Sequence, residues 1–324
     1  MRFPAALLLA AAVASAQFKS TVPLVVAPTT ITDAKGHFVD GLEPRDLILY
    51  DNNVPQTIQL DYEVYPISVV LAIQASSNAE SMLDKLGRLG SMLSQLVAGD
   101  AGHTAVITFA NQVHTRQDFT SNPDELKKAL VALRPEGPNA VTLDAVMEAL
   151  HMLRSQPANR RRIILMVAEK RVRTSTISMQ SVIEEAQRQN ALIYWLTFSP
   201  SLTTFTQKPN KTDCDKWGKN CTAAPPSNNG SFNVIAGLAE LYHLSKPEAS
   251  ELFSKATGAR TMNFLTRGGV EDAVQAVGAE IHRQYIVTYQ PPAAEPGTFH
   301  PIRIEVKERP DLQVRTRAGY WTVQ

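Results

Sequence analysis

The stretch VVLAIQASSNAE, Val69 to Glu80, decides the fold of this chain. Five apolar residues lead into a short polar cluster, Gln74 to Asn78, and a helical pattern follows. A buried parallel strand of an α/β sheet delivers polar side chains to the sheet edge in this way. In open α/β sheets, ligands bind outside the carboxyl ends of the strands. The stretch therefore raises the question of whether this edge holds a metal, a partner or nothing.

The sequence around this stretch alternates strands with amphipathic helices. The alternation runs over residues 66–283, and the first helix repeats apolar residues at helical spacing from Met82 to Leu93. Such alternation predicts an α/β fold, a doubly wound, mostly parallel Rossmann-like sheet with helices on both faces.

Both ends of the mature chain are rich in short strands and turns. Residues 17–65 and 284–324 show no sustained helical period. Each end is too small to bury a sheet face alone. We expect them to pack together as one small β-sandwich-like domain, with the α/β domain inserted between them.

Composition and the N-terminus predict an exported globular protein. The chain has 324 residues, 44% of them apolar, and 32 Lys and Arg against 31 Asp and Glu. This balance argues against nucleic acid as a partner. Residues 1–16 are typical of a signal peptide cleaved before Gln17, so we expect a secreted or periplasmic protein; the alternative is a buried N-terminal helix. No later segment approaches the ~20 apolar residues of an integral membrane span.

A long segment, 199–231, follows the strand ALIYWLTF and leaves the sheet at its carboxyl edge. It holds the only two cysteines, Cys214 and Cys221, which we expect to form a local disulfide in an oxidising compartment. Trp217 lies between them and is a candidate contact residue. Segments of this length are either functional loops or flexible insertions, and both readings stay open.

Catalytic signatures are weak. The seven histidines are scattered without a zinc-binding spacing, and no strand leads into a Gly-x-Ser-x-Gly turn. We therefore expect no enzymatic activity, although an extracytoplasmic hydrolase remains an alternative. The run Arg160 to Arg162 precedes a strand at the opposite edge of the sheet, and we interpret it as a solvated face.

Several stretches, in this order, resemble the bacterial von Willebrand factor A-related proteins. They are TITDAKGHFVDGLEPRDLILYDNNVPQTI (30–58), ASELFSKATGARTMNF (249–264), QYIVTYQPP (284–292) and VRTRAGYW (314–321). The resemblance covers most of the mature chain. It implies a von Willebrand factor A-like fold and a role in protein binding.

The resemblance also implies where a metal-ion-dependent adhesion site would lie. Its Asp-x-Ser-x-Ser motif corresponds to Gln74, Ser76 and Asn78. Its threonine corresponds to Ala140, or to Asn139 with a shift of one residue. Its aspartate corresponds to Glu169. Only Ser76 is unchanged, so the resemblance implies a degenerate site.

The replacements weaken the case for a metal. Magnesium prefers hard oxygen ligands, usually with at least one carboxylate. Losing one carboxylate at ~4–5 Å from a divalent ion removes on the order of several kcal/mol of attraction. We therefore expect no metal cofactor. The alternative is residual Mg or Ca binding through Ser76, Asn78 and Glu169.

The sequence instead predicts an exported, non-enzymatic module that binds a protein partner through this edge without metal. Lys170, Arg171 and Arg173 are either a cationic surface for an acidic partner or simply a solvated loop. A purely structural role, in which the α/β domain only positions the β-domain, is a further alternative. The candidate binding residues are Gln74, Ser76, Ser77, Asn78, Asn139, Glu169, Lys170, Arg171, Arg173 and Trp217.

Overall fold

A computed structural model describes residues 24–86, 89–93, 101–170, 172, 175–198, 248–263 and 267–322. Several predictions lie outside these residues: the signal peptide 1–16 with its cleavage before Gln17, the segment 199–231 with Cys214, Cys221 and Trp217, and the cations Arg171 and Arg173. Elements are numbered below in chain order over the described residues.

The centre of the molecule is a six-stranded sheet with the order β10-β9-β8-β5-β6-β7. Its five neighbouring strands from β10 to β6 are parallel, and β7 pairs antiparallel with β6 at the edge. The bounds are β5 Ile67–Gln74, β6 His103–Phe109, β7 Val113–Thr120, β8 Arg161–Ala168, β9 Ala191–Thr197 and β10 Thr261–Asn263. The predicted α/β fold with a doubly wound, mostly parallel sheet is confirmed.

Helices cover both faces of this sheet because the strand residues alternate between two apolar clusters. Leu71 and Ile73 of β5 belong to one cluster, and Val70 and Ala72 belong to the other. All eight residues of β5 are buried. The helices are α1 Glu80–Leu86, α2 Leu89–Met92, α3 Pro123–Val131, α4 Thr142–Arg154, α5 Met179–Arg188, α6 Ala249–Thr257 and α7 Arg267–His282.

Two four-stranded sheets, with the orders β13-β1-β11-β4 and β14-β12-β2-β3, form the predicted β-sandwich-like part. Each sheet contains strands from both ends of the chain. One apolar cluster joins them, with Ala27 and Val287 on one sheet and Leu49 and Ile304 on the other. The bounds are β1 Val25–Thr32, β2 Leu47–Asp51, β3 Val54–Gln56, β4 Ile58–Asp61, β11 Tyr285–Tyr289, β12 Phe299–Val306, β13 Gln313–Arg315 and β14 Gly319–Trp321.

A buried polar group lies within the sandwich core. The carboxylate of Asp51 accepts hydrogen bonds from the hydroxyls of Tyr289 (2.9 Å) and Tyr320 (2.8 Å). Its other oxygen lies 2.9 Å from Nδ1 of His300. Because all four side chains are buried, the carboxylate depends on these partners for its solvation.

The sandwich packs against the α/β domain through backbone and polar contacts. Gly258 ends α6 with φ +86°, and a Cβ there would lie 2.6 Å from the backbone N of Arg317. The N–H of Ala318 donates to the carbonyl of Ala256 at 3.1 Å. Buried Glu280 on α7 contacts Arg315 of β13 at 2.5 Å, and this ion pair also joins the two parts.

The interpretation of Arg160 to Arg162 as a solvated face is wrong. All three are half-buried, because the sandwich covers this edge of the sheet. Arg160 donates to the carbonyl of Ile67 at 2.8 Å, where the chain enters the α/β domain. Arg161 donates to the carbonyl of Ile281 at 2.8 Å, where the chain leaves it.

Within the described residues, no helix is both long and apolar enough to cross a membrane.

Candidate binding site at the carboxyl edge of the central sheet

The candidate site lies where β5, β6 and β8 end, an edge called the rim below. β5 ends at Gln74, and the N–H of Ala75 still donates to the carbonyl of Phe109 at the end of β6 (2.9 Å). A short 3-10 turn, Ser77–Ala79, then turns the chain into α1. The rim therefore brings together the polar residues that the sequence placed after the first strand of the α/β domain.

The side chain of Gln74 joins two strand ends inside the rim. Its Nε2 donates to Oγ of Ser76 at 2.8 Å, and its Oε1 accepts from the backbone N–H of Glu169 at 2.9 Å. Gln74 and Ser76 are each 1% exposed, and Glu169 is 7% exposed. The amide thus connects the end of β5 to the end of β8 with both of its polar atoms engaged.

A loop between α3 and α4 packs over the rim; the resemblance implied a site position in it, at Asn139 or Ala140, but its contacts with Ala75 and Ser77 were not predicted. The N–H of Glu136 donates to the carbonyl of Ala75 at 2.7 Å, and the N–H of Ser77 donates to the carbonyl of Gly137 at 2.8 Å. Gly137 has φ +139°, and a Cβ there would lie 2.7 Å from Nδ2 of Asn111. The Glu-Gly-Pro-Asn sequence at 136–139 is a turn signal that could have indicated this loop.

The loop is also held by charge. The carboxylate of Glu136 contacts Arg116 of β7 at 2.6 Å and lies 3.8 Å from Nε2 of His114. Both partners belong to the edge strand, so this contact fixes the loop against the side of the sheet. The N–H of Asn139 contacts Oδ1 of Asn111 at 3.3 Å.

The segment after β8 is anchored at the start of α4. Oγ of Ser175 accepts from the N–H groups of Leu143 (3.0 Å) and Asp144 (3.3 Å), so it caps a helix whose own N-cap residue, Val141, makes no side-chain cap. The hydroxyls of Ser175 and Thr176 donate to the Asp144 carboxylate. Burial alone would raise the pKa of Asp144, but these hydrogen bonds outweigh it and hold the pKa below its usual value.

Lys170 is the one cation of the predicted cationic loop that the structure describes. It forms an ion pair with Glu248 at 3.2 Å, and its carbonyl accepts from the N–H of Ser250 at 3.5 Å. Its positive charge is therefore paired with a carboxylate at the start of α6. This contact favours a local structural role for Lys170.

The candidate binding residues at the rim are divided in two by burial. Ser77, Asn78 and Asn139 are exposed, whereas Gln74, Ser76 and Glu169 are buried. The prediction that Gln74 and Ser76 offer hydrogen-bonding groups to a partner is wrong, because the Gln74 side chain turns inward and bonds to Ser76 and to the backbone of Glu169. Ala140 is 1% exposed and packs in the apolar cluster on the α4 side.

The residues present do not fit the divalent metal that the fold family implies. An octahedral Mg site needs free oxygen ligands, usually with a carboxylate. Here the carboxamide of Gln74 is engaged at both ends, and Ala140 offers a methyl group. The described residues contain no cluster of three or more His, Cys, Asp or Glu side chains suited to a metal.

Known proteins resemble this chain only remotely. No family model and no curated protein matches the chain. Among solved structures, it is similar to the hypothetical protein BatB from Bacteroides thetaiotaomicron (TM-score 0.45, 16% identity, 67% of this chain and 98% of that one). It is similar to the same degree to an aerotolerance-related membrane protein from Bacteroides fragilis (TM-score 0.45, 16% identity, 67% and 99%). The von Willebrand factor A domain of SpRpn10 gives a TM-score of 0.34 at 14% identity (43% and 80%).

At TM-scores below 0.5 the likeness to these structures carries no argument. The assignment of a von Willebrand factor A-like fold rests on the strand order and on the helices of both faces.

Proposed function

We propose that this chain is an exported, non-enzymatic binding module that holds a protein partner at the rim without a divalent metal. The observation that carries the proposal is the Gln74 bridge. Its amide satisfies Ser76 and the backbone of Glu169 internally, in the place where the family's metal ligands would lie. What the rim offers to solvent is then hydroxyl and amide chemistry from Ser77, Asn78 and Asn139.

The rim suits recognition because its backbone is held in place before binding. Contacts of Glu136 and Gly137 fix the loop between α3 and α4, and Ser175 is held at the start of α4. A pre-ordered surface loses less conformational entropy when a partner binds. Neutral donors and acceptors of this kind complement backbone and polar side chains of a protein partner.

Ionisable groups of the described rim are used in structural contacts. Glu136 pairs with Arg116, Lys170 pairs with Glu248, and Asp144 accepts two hydroxyl hydrogen bonds. A general acid or base works best with a pKa near the operating pH. The pKa of Asp144 is shifted down, away from that range. These contacts support a binding role over hydrolysis.

The test uses the mature protein, residues 17–324, immobilised and exposed to the exported proteins of its source, with bound proteins quantified by mass spectrometry. The rim variant is Asn78→Arg/Asn139→Arg, and the matched control is Gln313→Arg, at an exposed residue of β13. Each is assayed in EDTA and in millimolar Mg²⁺ or Ca²⁺. We expect a partner that binds the wild-type protein in EDTA. The rim variant should retain about tenfold less of this partner, or even less, and the control should retain as much as the wild type.

Other results would contradict the proposal. Binding that disappears in EDTA would establish metal-dependent adhesion. Binding that survives in the rim variant would place the interface elsewhere. Turnover of a bound protein or small ester would establish a hydrolase.

A further inference from the structure

A cleft lies at the edge of the central sheet opposite the rim, where the strands begin, between the sheet and the sandwich. Its volume is about 350 Å³. One wall is apolar and is formed by β1 and β11 through Val26, Pro28 and Ile286. The other wall contains Arg160, Arg161 and Arg162 at the start of β8. This volume falls within the range of small-molecule sites.

The three arginines have no carboxylate partner within the described part of the chain. Instead they donate to carbonyl oxygens, and two of them also donate to side chains: Nε of Arg160 donates to Oγ of Ser68 at 2.7 Å, and Arg161 donates to Oε1 of Gln284. Arg160 contacts Ala101 at 2.9 Å as well as Ile67, and Arg162 contacts Gln189 at 3.3 Å. The carbonyls of Ile281 and Gln189 lie at the ends of α7 and α5, where the helix dipole offsets part of the positive charge. These contacts position the guanidinium groups without neutralising them.

The acidic side chain that lines the cleft is already engaged. The carboxylate of Asp61 accepts from the hydroxyl of Tyr65 at 2.6 Å and from the N–H of Glu63 at 2.9 Å. Arg188, at the margin of the cleft, pairs with Glu184 at 2.8 Å. Three unpaired arginines and one carboxylate leave the cleft with a net positive charge.

Burial makes this charge costly. Desolvation lowers the pKa of the guanidinium groups of Arg160, Arg161 and Arg162, which nevertheless stay protonated at neutral pH. Nε of Arg161 and Nε of Arg162 are buried without a hydrogen-bond partner. Buried charges are normally paired, so an incoming anion would gain the Coulomb attraction of the guanidinium groups.

We propose that this cleft binds a small organic anion, with an oxyanion head group on Arg160 and Arg162 and a short apolar body against β1 and β11. Guanidinium groups match the planar geometry of carboxylate and the oxygens of phosphate. The apolar wall selects ligands that carry a hydrocarbon part over inorganic ions. This site is independent of the rim, since it lies at the other end of the strands.

The test is isothermal titration of the mature protein with octanoate and octyl phosphate, with acetate and inorganic phosphate as head-group controls and octanamide as the uncharged control. The variant is Arg162→Gln, and the matched control is Arg45→Gln, at an exposed arginine of the sandwich. We expect saturable binding of at least one octyl anion, weakened about tenfold or more by Arg162→Gln and unchanged by Arg45→Gln.

A second variant keeps the test valid if Arg162→Gln does not fold. Leu24 is 55% exposed at the cleft mouth, so Leu24→Glu adds a carboxylate without disturbing a packed core, and we expect weaker anion binding. Binding of octanoate alone would assign a carboxylate ligand, and binding of octyl phosphate alone a phosphate ligand. The absence of saturable binding, equal binding of octanamide, or unchanged affinity in both variants would show that the arginines only join the two domains.

Discussion

The side-chain oxygen of Gln74 accepts a 2.9 Å hydrogen bond from the backbone N–H of Glu169, a residue 95 positions later in the chain. This bond ties the ends of β5 and β8 together beneath the rim. Nε2 of the same amide donates to Oγ of Ser76 at 2.8 Å.

Gln74→Leu should destabilise the protein by about 2–4 kcal/mol, because it leaves a buried hydroxyl and a buried N–H without partners. Urea unfolding at neutral pH measures the change. The control is Asn78→Ala, four residues away and exposed, for which we expect a change within about 0.5 kcal/mol. Equal effects of the two substitutions would mean that the bridge contributes nothing to stability.

Divalent ions should not stabilise the wild-type protein. Thermal unfolding in EDTA and in about 10 mM Mg²⁺, Mn²⁺ or Ca²⁺ should give the same midpoint, whereas a site with a dissociation constant near 0.1 mM would add about 2.7 kcal/mol. The control is Gln74→Asp/Asn78→Ser, which restores a carboxylate and a hydroxyl. The control variant keeps Ala140, although a threonine there would restore the family's hydroxyl ligand. Ala140 is buried, and a larger side chain would overpack the core. A wild-type midpoint that rises with Mg²⁺ would contradict the degenerate-site interpretation.

Ser175→Ala should cost about 1 kcal/mol, because it removes the cap of α4. It should also weaken the hydrogen bonding that keeps the pKa of Asp144 low. The pKa of Asp144 is lower in the folded protein than in the unfolded chain, where it is near 3.8. The carboxylate therefore stabilises the folded protein at pH values above 3.8, and this contribution is lost as the pH falls through the folded pKa. The stability difference between wild type and variant should therefore shrink in acid.

Chemical denaturation at neutral pH and below pH 3 measures both effects of Ser175→Ala. Ser178→Ala is a matched control, because Ser178 caps α5 with a bond to Ser181 but does not contact Asp144. It should lower stability by a similar amount at both pH values. A difference for Ser175→Ala that stays constant with pH would contradict its link to Asp144.

Stability should fall steeply above about pH 10. Burial raises the pKa of Tyr289 and of Tyr320, and the Asp51 carboxylate adds to both shifts. The unfolded chain releases these protons near pH 10 while the folded protein keeps them, so unfolding becomes more favourable as pH rises. Each tyrosine contributes up to about 1.4 kcal/mol per pH unit.

Denaturant unfolding from pH 8 to 11 tests this slope. Tyr320→Phe should be less stable at pH 8, because Asp51 loses a donor, yet should show a shallower loss above pH 10. Tyr62→Phe is the control, since Tyr62 is 76% exposed and should leave the slope unchanged. Parallel curves for wild type and Tyr320→Phe would contradict the prediction.

The fold class could be predicted from the sequence because its signals are local. Apolar runs such as Val69–Ile73 and helical spacing around Leu86 determine strand and helix within a short window. The inward turn of Gln74 could not be predicted, because it depends on the backbone of β8. The cap that Ser175 provides to Leu143 likewise joins residues 32 positions apart. The arginines at 160–162 appear solvated only if the sandwich that covers them is ignored.

The shared sandwich also sets an order of events during synthesis. Leu42 and Tyr285, which are joined by a hydrogen bond, lie 243 residues apart, and β1 and β2 pair with β11 and β12. At roughly 5–20 residues per second, the first strands wait on the order of 10–50 s before their partners emerge from the ribosome. The inserted domain can fold during that interval and bring the two ends together. Until then the early strands have unpaired edges, so a chaperone that shields β1 to β4 would raise the yield of folded protein.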